Sequence, residues 1–202
     1  MSRTAALAIA GITLVWLALA LLGSPYPAVN DEVVYTLGTE ALLERGALGI
    51  ENGHARFGSE MLVPQWFVPG PSGLAPQYPS GYFALAAPFL AALDLRGLLL
   101  LNTAAAGGVL VLTHLLARRL FGEGRVAPAS VLILALAGFM TEYAMGIWPH
   151  ALAALVVLGA TLAVVTAATG PPARAWRGAV AAAVILGAGA MIRVDTVLIG
   201  PP

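Results

Sequence analysis

Long uncharged runs, separated by short arginine clusters, set the pattern of this chain. Ala5 to Leu22 holds eighteen residues without a charge, enough to cross a hydrocarbon core of about 30 Å. Arg3 stands in front of it and places the N-terminus in the cytoplasm. The run exceeds the roughly 7–15 apolar residues of a cleaved signal peptide, so a retained signal-anchor is expected. Gly97 to Ala117 gives a second run of twenty-one residues, ending at Arg118, Arg119 and Arg125. Val126 to Ala173 is forty-eight residues with one charge, Glu142, which makes two spans joined by an outer turn at Trp148-Pro149-His150. Gly170-Pro171-Pro172 closes the second of these, with Arg174 and Arg177 beside it, and a last span rises from Gly178. The pattern therefore predicts an all-α bundle with spans at 5–22, 97–117, 126–147, 149–169 and 178–200, and an external loop over 23–96.

Gly81 to Leu93 is apolar but only thirteen residues long, broken by Pro88 and followed by Asp94 and Arg96. Counted as a span, it would put Arg118 and Arg119 outside. Read as a half-buried juxtamembrane helix, it leaves every cytoplasmic segment bearing arginine, as the positive-inside rule prefers. Within the loop, Asn30 can cap a helix running to about Arg45, with Gly46 as its stop. Val33, Leu37 and Ala41 share one face of it and Thr36, Glu40 and Glu44 another, which suits a helix lying along the membrane surface. From Gly46 to Pro79 glycine and proline exclude long elements, and Trp66-Phe67-Val68 is expected to dip into the interface.

Composition agrees with lipid as the main solvent. The chain is 59% hydrophobic and 10% charged, against roughly a quarter charged for a soluble domain. There is no cysteine, which removes disulfide and thiolate chemistry, and the net charge of zero gives no pull toward nucleic acid. All ten basic residues are arginine, which fits a bacterial source. Six acids, Asp31, Glu32, Glu40, Glu44, Glu51 and Glu60, crowd the first loop, and all five tyrosines fall at or near the outer side, as an aromatic belt would.

Two segments carry the most specific signal. Asn30-Asp31-Glu32-Val33-Val34-Tyr35 opens the loop just past the first span, and Gln77-Tyr78-Pro79-Ser80-Gly81-Tyr82 closes it. Acids in a first helical turn also complement the helix dipole, by about 0.3–1 kcal/mol, so spacing alone does not make them catalytic. A first span, an Asp-Glu pair opening a long loop and a later Tyr-Pro-Ser-Gly-Tyr together resemble the polyprenyl-phosphate-sugar-dependent glycosyltransferases of the GT-C superfamily. That group includes protein O-mannosyltransferases and the aminoarabinose and lipopolysaccharide-sugar transferases. The resemblance covers nearly all of this chain but only the N-terminal part of such an enzyme, so a fragment without activity of its own is expected.

The resemblance implies sugar transfer from a polyprenyl-phosphate donor to a glycan, lipid or protein acceptor, at the outer face of a bacterial inner membrane. It makes Asp31 the general base, with Glu32 beside it pointing about 100° around the helix. Tyr82, in the closing element, is a substrate-binding candidate. In the aminoarabinose branch an acid precedes that element, where this sequence has Gln77, so a divalent metal stays an open question and no other cofactor is implied. His150 joins the candidates because the expected topology puts it on the same face as Asp31. Glu142 lies about two helical turns earlier. Arg193 and Asp195 are charges inside a predicted span, where they are costly and usually mark a pathway or ligand site. Two apart on a helix, they should face different sides and find partners elsewhere. Arg193 is expected to take a lipid-linked phosphate. Two other readings compete: a transporter or channel module using Arg193, Asp195 and Glu142 as a relay, and a non-catalytic membrane subunit.

Overall fold

The apolar runs fold as helices packed on one another. The computed structural model describes residues 3–199, and the side chains of 172–174 and 197–199 fall outside that description. Helix α1 is Arg3–Leu22 and α2 is Asn30–Arg45. A short α3, His54–Phe57, and a 3-10 turn, Glu60–Leu62, lead to a hairpin of β1, Phe67–Gly70, and β2, Gly73–Pro76. Then come α4, Gly81–Leu93, and α5, Leu95–Phe121, followed by α6, Val126–Ala137, and α7, Met140–Met145. Helices α8, His150–Ala168, and α9, Pro172–Ala190, precede a final 3-10 segment, Val194–Ile199. Three of these, α1, α5 and α8, are long and apolar enough to cross a membrane.

Helix α5 is the centre, with α1, α4, α6, α7 and α8 packed on it. Two adjacent glycines let two neighbours in. A Cβ at Gly107 would stand 2.9 Å from Thr13 of α1, and one at Gly108 would stand 2.7 Å from Leu155 of α8. Small residues at such contacts let helix backbones approach closely. Arg96 Nε donates to the Leu21 carbonyl at 3.1 Å, so the start of α5 meets the end of α1. At its other end Arg119 reaches Thr169, just past α8. Helix α1 therefore runs opposite to α5, whereas α8 runs with it. Gly178 lies against Ala167 and Gly189 against Val156, so α9 returns antiparallel to α8.

Several sequence expectations need correction. The span predicted at 126–147 is two helices, because the chain is extended at Gly138 and Thr141 Oγ1 donates to the Ala135 carbonyl freed there, at 2.9 Å. The run predicted as a span at 178–200 forms α9, which starts earlier, at Pro172, and ends at Ala190; over its described residues it is shorter than a span, and Gly200 lies outside the described residues. Asn30 does not cap α2. Val29 holds that position, and Glu32 reaches back to its amide. On α2, Val33 is exposed, while Tyr35, Gly38 and Thr39 are buried. The cause is packing against α4, where a Cβ at Gly38 would sit 2.6 Å from the Phe83 ring. Phe67 does not dip into an interface; it turns inward onto Val34 and Leu74, a small core that fastens the hairpin to α2.

Candidate functional site

At the end of the bundle where α1 finishes and α8 begins, the start of α2, the residues before α4 and the segment after α9 converge. Glu32 and Asp31, adjacent in sequence, take opposite surroundings there. The Glu32 side chain is buried, 5% exposed, and all its hydrogen bonds are to backbone amides. Oε2 accepts from Ala28 N at 2.6 Å and Val29 N at 3.2 Å, and Oε1 accepts from Ile147 N at 2.7 Å. That carboxylate clamps the entry to α2 onto the link between α7 and α8. Its oxygens hold the backbone on both sides. Asp31 is half-buried, and its Oδ1 accepts the Tyr78 hydroxyl at 2.9 Å. Among the described residues Oδ2 accepts no hydrogen bond.

Tyr78 is fixed from behind by Tyr35. The two rings stack at 4.9 Å with planes 13° apart, and Tyr82 meets Tyr35 edge-on at 4.9 Å. Partial burial, then the bond to Asp31, pushes the Tyr78 hydroxyl up to about 12, so it stays a protonated donor at neutral pH. Tyr82 is fully buried, and its hydroxyl accepts from Asn102 Nδ2 at 3.1 Å. It is a core residue joining α4 to α5. Burial likewise raises Tyr35 and Tyr82 well above the ordinary phenol range. Tyr35, Tyr78 and Tyr82 form one cluster of rings.

Arg193 and Asp195 do pair with each other, contrary to expectation. The reason is local: α9 has ended at Ala190, so the two residues are no longer on a regular α-helix. Arg193 Nε donates to Asp195 Oδ1 at 3.0 Å and Nη2 to Oδ2 at 2.7 Å. The aspartate holds the guanidinium charged, and the guanidinium holds Asp195 below the usual carboxylate range. Nη1 lies 3.0 Å from His150 Nε2. A guanidinium only donates, so Nε2 accepts and the imidazole proton sits on Nδ1. Tyr143 stacks on the His150 ring at 4.7 Å, and Trp148 meets it edge-on at 5.0 Å. An open cavity of about 310 Å³ lies over Tyr143, His150, Arg193, Asp195 and Thr196. Among the described residues, the buried His150 Nδ1 and Trp148 Nε1 have no hydrogen-bond partner.

The two halves share one field: Arg193 acts on Tyr35 and Tyr78, and Asp31 acts on His150. Glu142 stays exposed on α7 and joins none of the ion pairs among the described residues. Among those residues no three His, Asp or Glu side chains converge as metal ligands would. In the sequence Tyr35 and Tyr78 fall within the two most specific segments but carry no assigned role, and Tyr143 reads only as part of an aromatic belt. Comparison with family models, curated proteins and solved structures finds no match to this chain.

Proposed function

We propose that this chain serves sugar transfer at the outer membrane face, from a polyprenyl-phosphate donor to an acceptor hydroxyl or amine. The observation that carries the reading is a carboxylate with one oxygen oriented by Tyr78 and the other open, at the same bundle end as a doubly anchored guanidinium. Asp31 Oδ2 takes the acceptor's proton as that oxygen or nitrogen bonds to the anomeric carbon. The bond from that carbon to the phosphate oxygen breaks, and the polyprenyl phosphate leaves with the electron pair. Arg193 grips the phosphate. Asp195 and His150 occupy three of its five N–H groups, leaving one on each terminal nitrogen for two phosphate oxygens. With Asp195 paired, the net charge there is zero, so directed donors rather than excess charge do the binding. Glu32 positions this machinery, and His150 sets the angle of Arg193.

Membranes containing the full-length gene product, supplied with labelled polyprenyl-phosphate hexose or aminopentose, test the reading. Asp31→Asn should cut turnover by about 10²–10⁴-fold, the usual worth of a positioned base, with donor binding kept. Arg193→Lys should weaken donor binding, and Arg193→Ala should weaken it more. Parental turnover in Asp31→Asn would overturn the assignment of the base. The transporter alternative draws less support, since a relay through Arg193, Asp195 and Glu142 needs Glu142 coupled to the others, and it pairs with neither.

A further inference from the structure

At the opposite end of the bundle the structure carries a second polar site, independent of the sugar-transfer reading. Helix α8 begins at His150 and ends at Ala168, so its two ends are about 27 Å apart at 1.5 Å per residue. At the far end Arg119 of α5 and Arg177 of α9 line a cavity of about 610 Å³ with Thr166. The Arg119 side chain is held in place: Nε and Nη2 donate to Thr169 Oγ1 at 2.9 and 2.5 Å, and Thr169 Oγ1 donates to the Val165 carbonyl. Its Nη1 has no bond among the described residues. The Arg177 guanidinium lies 5.7 Å from the centre of the exposed Trp176 ring. Neither arginine has an acidic partner among the described residues, whereas neighbouring Arg118 is bound by Glu123.

Two unneutralised guanidinium groups facing one cavity call for an anion. The rest of the lining says which kind. From the arginines the cavity runs along α8 past Ala163 and Leu162 to Gly159, an apolar trough beside a helix able to cross a membrane. A free phosphate would use only the mouth. A phospholipid uses both parts, its phosphate between the arginines and an acyl chain in the trough. Guanidinium groups suit a phosphate because they bond two oxygens at once and remain charged. Basic pockets between membrane helices take anionic headgroups in this way. We infer that the groove between α5, α8 and α9 binds an anionic phospholipid.

Native mass spectrometry of the purified full chain tests this, with phosphatidylglycerol, phosphatidylcholine and soluble glycerol phosphate as probes. The parent should retain phosphatidylglycerol in preference to phosphatidylcholine. Arg119→Gln with Arg177→Gln should lower that retention by about 10- to 30-fold, the order expected for two cations at an anionic headgroup. Arg118→Gln should leave it unchanged. Gly159→Leu fills the trough while keeping both arginines, so it should lower phosphatidylglycerol retention and spare glycerol phosphate. Should the glutamine pair fail to fold, Arg119→Lys with Arg177→Lys carries the test; it keeps charge, loses the two-oxygen grip, and should bind several-fold weaker. No preference for phosphatidylglycerol in the parent would overturn the site. An equal loss in Arg118→Gln would reduce it to diffuse charge, and full retention in Gly159→Leu would remove the lipid chain from it.

Discussion

Replacing Glu32 by glutamine should damage the fold more than the same isosteric change at Asp31, although the residues are adjacent and carry the same charge. Glu32 serves three amides with two oxygens, while Asp31 serves one phenol. A glutamine side chain has one acceptor oxygen, and its NH₂ must face either Ile147 N–H or the Ala28 and Val29 pair. In either orientation at least one bond to an ionised acceptor is lost, about 1.5–3 kcal/mol, and a buried N–H is left facing a donor, about 1–3 kcal/mol. The two overlap, so a cost of about 2–4 kcal/mol is expected, against a total stability of roughly 5–15 kcal/mol for a domain. Asp31→Asn keeps an oxygen for Tyr78 and should cost about 1 kcal/mol or less. Hydrogen exchange in detergent micelles, read on peptides containing 28–29 and 147, separates the two. Glu32→Gln should speed exchange at both places by roughly 30-fold to several-hundred-fold, following a tenfold change per 1.4 kcal/mol. Asp31→Asn should leave both protected. Parental protection at Ile147 in Glu32→Gln would refute the clamp.

Two further outcomes follow from the same geometry. Tyr78, whose ordinary value is 10.0, is pushed up to about 12, so its share of stability is complete below about 10 and is lost as pH climbs past about 12. In phenolate absorbance difference spectra against Tyr78→Phe, Asp31→Asn should shift the Tyr78 titration to lower pH, and an unmoved titration would dissolve the Asp31–Tyr78 bond. Gly81 N donates to the Met191 carbonyl at 2.7 Å, and a Cβ at Gly81 would stand 2.4 Å from that oxygen. Gly81→Ala should therefore displace the segment bearing Arg193, cost about 1–3 kcal/mol and speed tryptic cleavage after Arg193, while an unchanged cleavage rate would show that this docking is unimportant.

Element existence was legible because apolar runs here are bounded by charge, proline or glycine. The expected limits of α4 match the structure, α2 starts one residue earlier than expected, and 5–22, 97–117 and 149–169 overlap α1, α5 and α8. The break at Gly138 was hidden because both flanks are apolar, so periodicity does not mark it. Which face of a helix packs was equally hidden. A helix that is apolar all round carries no stripe pointing to its partner, and Tyr82 looked as open as Tyr78. At Asp31 and Glu32 the helix period fixed the angle between the side chains but not which of them turned inward. That choice rests on the Ile147 amide, 115 residues away. The Arg193–Asp195 pair depended on where α9 stopped, and the apolar run gave no stop there.

The end of α7 and the irregular stretch after it, from Gly146 to Pro149, tie these separate observations together. Non-helical backbone inside an apolar bundle leaves N–H and C=O groups that lipid cannot satisfy, so it persists only where protein groups replace the lost bonds. Three side chains do so here. Thr103 Oγ1 donates to the Ala144 carbonyl at 3.0 Å, Asn102 Nδ2 donates to the Gly146 carbonyl at 2.7 Å, and Glu32 Oε1 accepts from Ile147 N at 2.7 Å. Asn102 and Thr103 are adjacent polar residues within the long apolar run of α5, and both are fully buried. Their position is explained by the break they stabilise. The break in turn sets the place of Trp148 and His150 and, through His150, the angle at which Arg193 is presented. Asn102 also donates to Tyr82, which packs on Tyr35, and Tyr35 stacks on the Tyr78 that orients Asp31. Both ends of the candidate site, the carboxylate and the guanidinium, are thus referred back to the same two residues of the central helix.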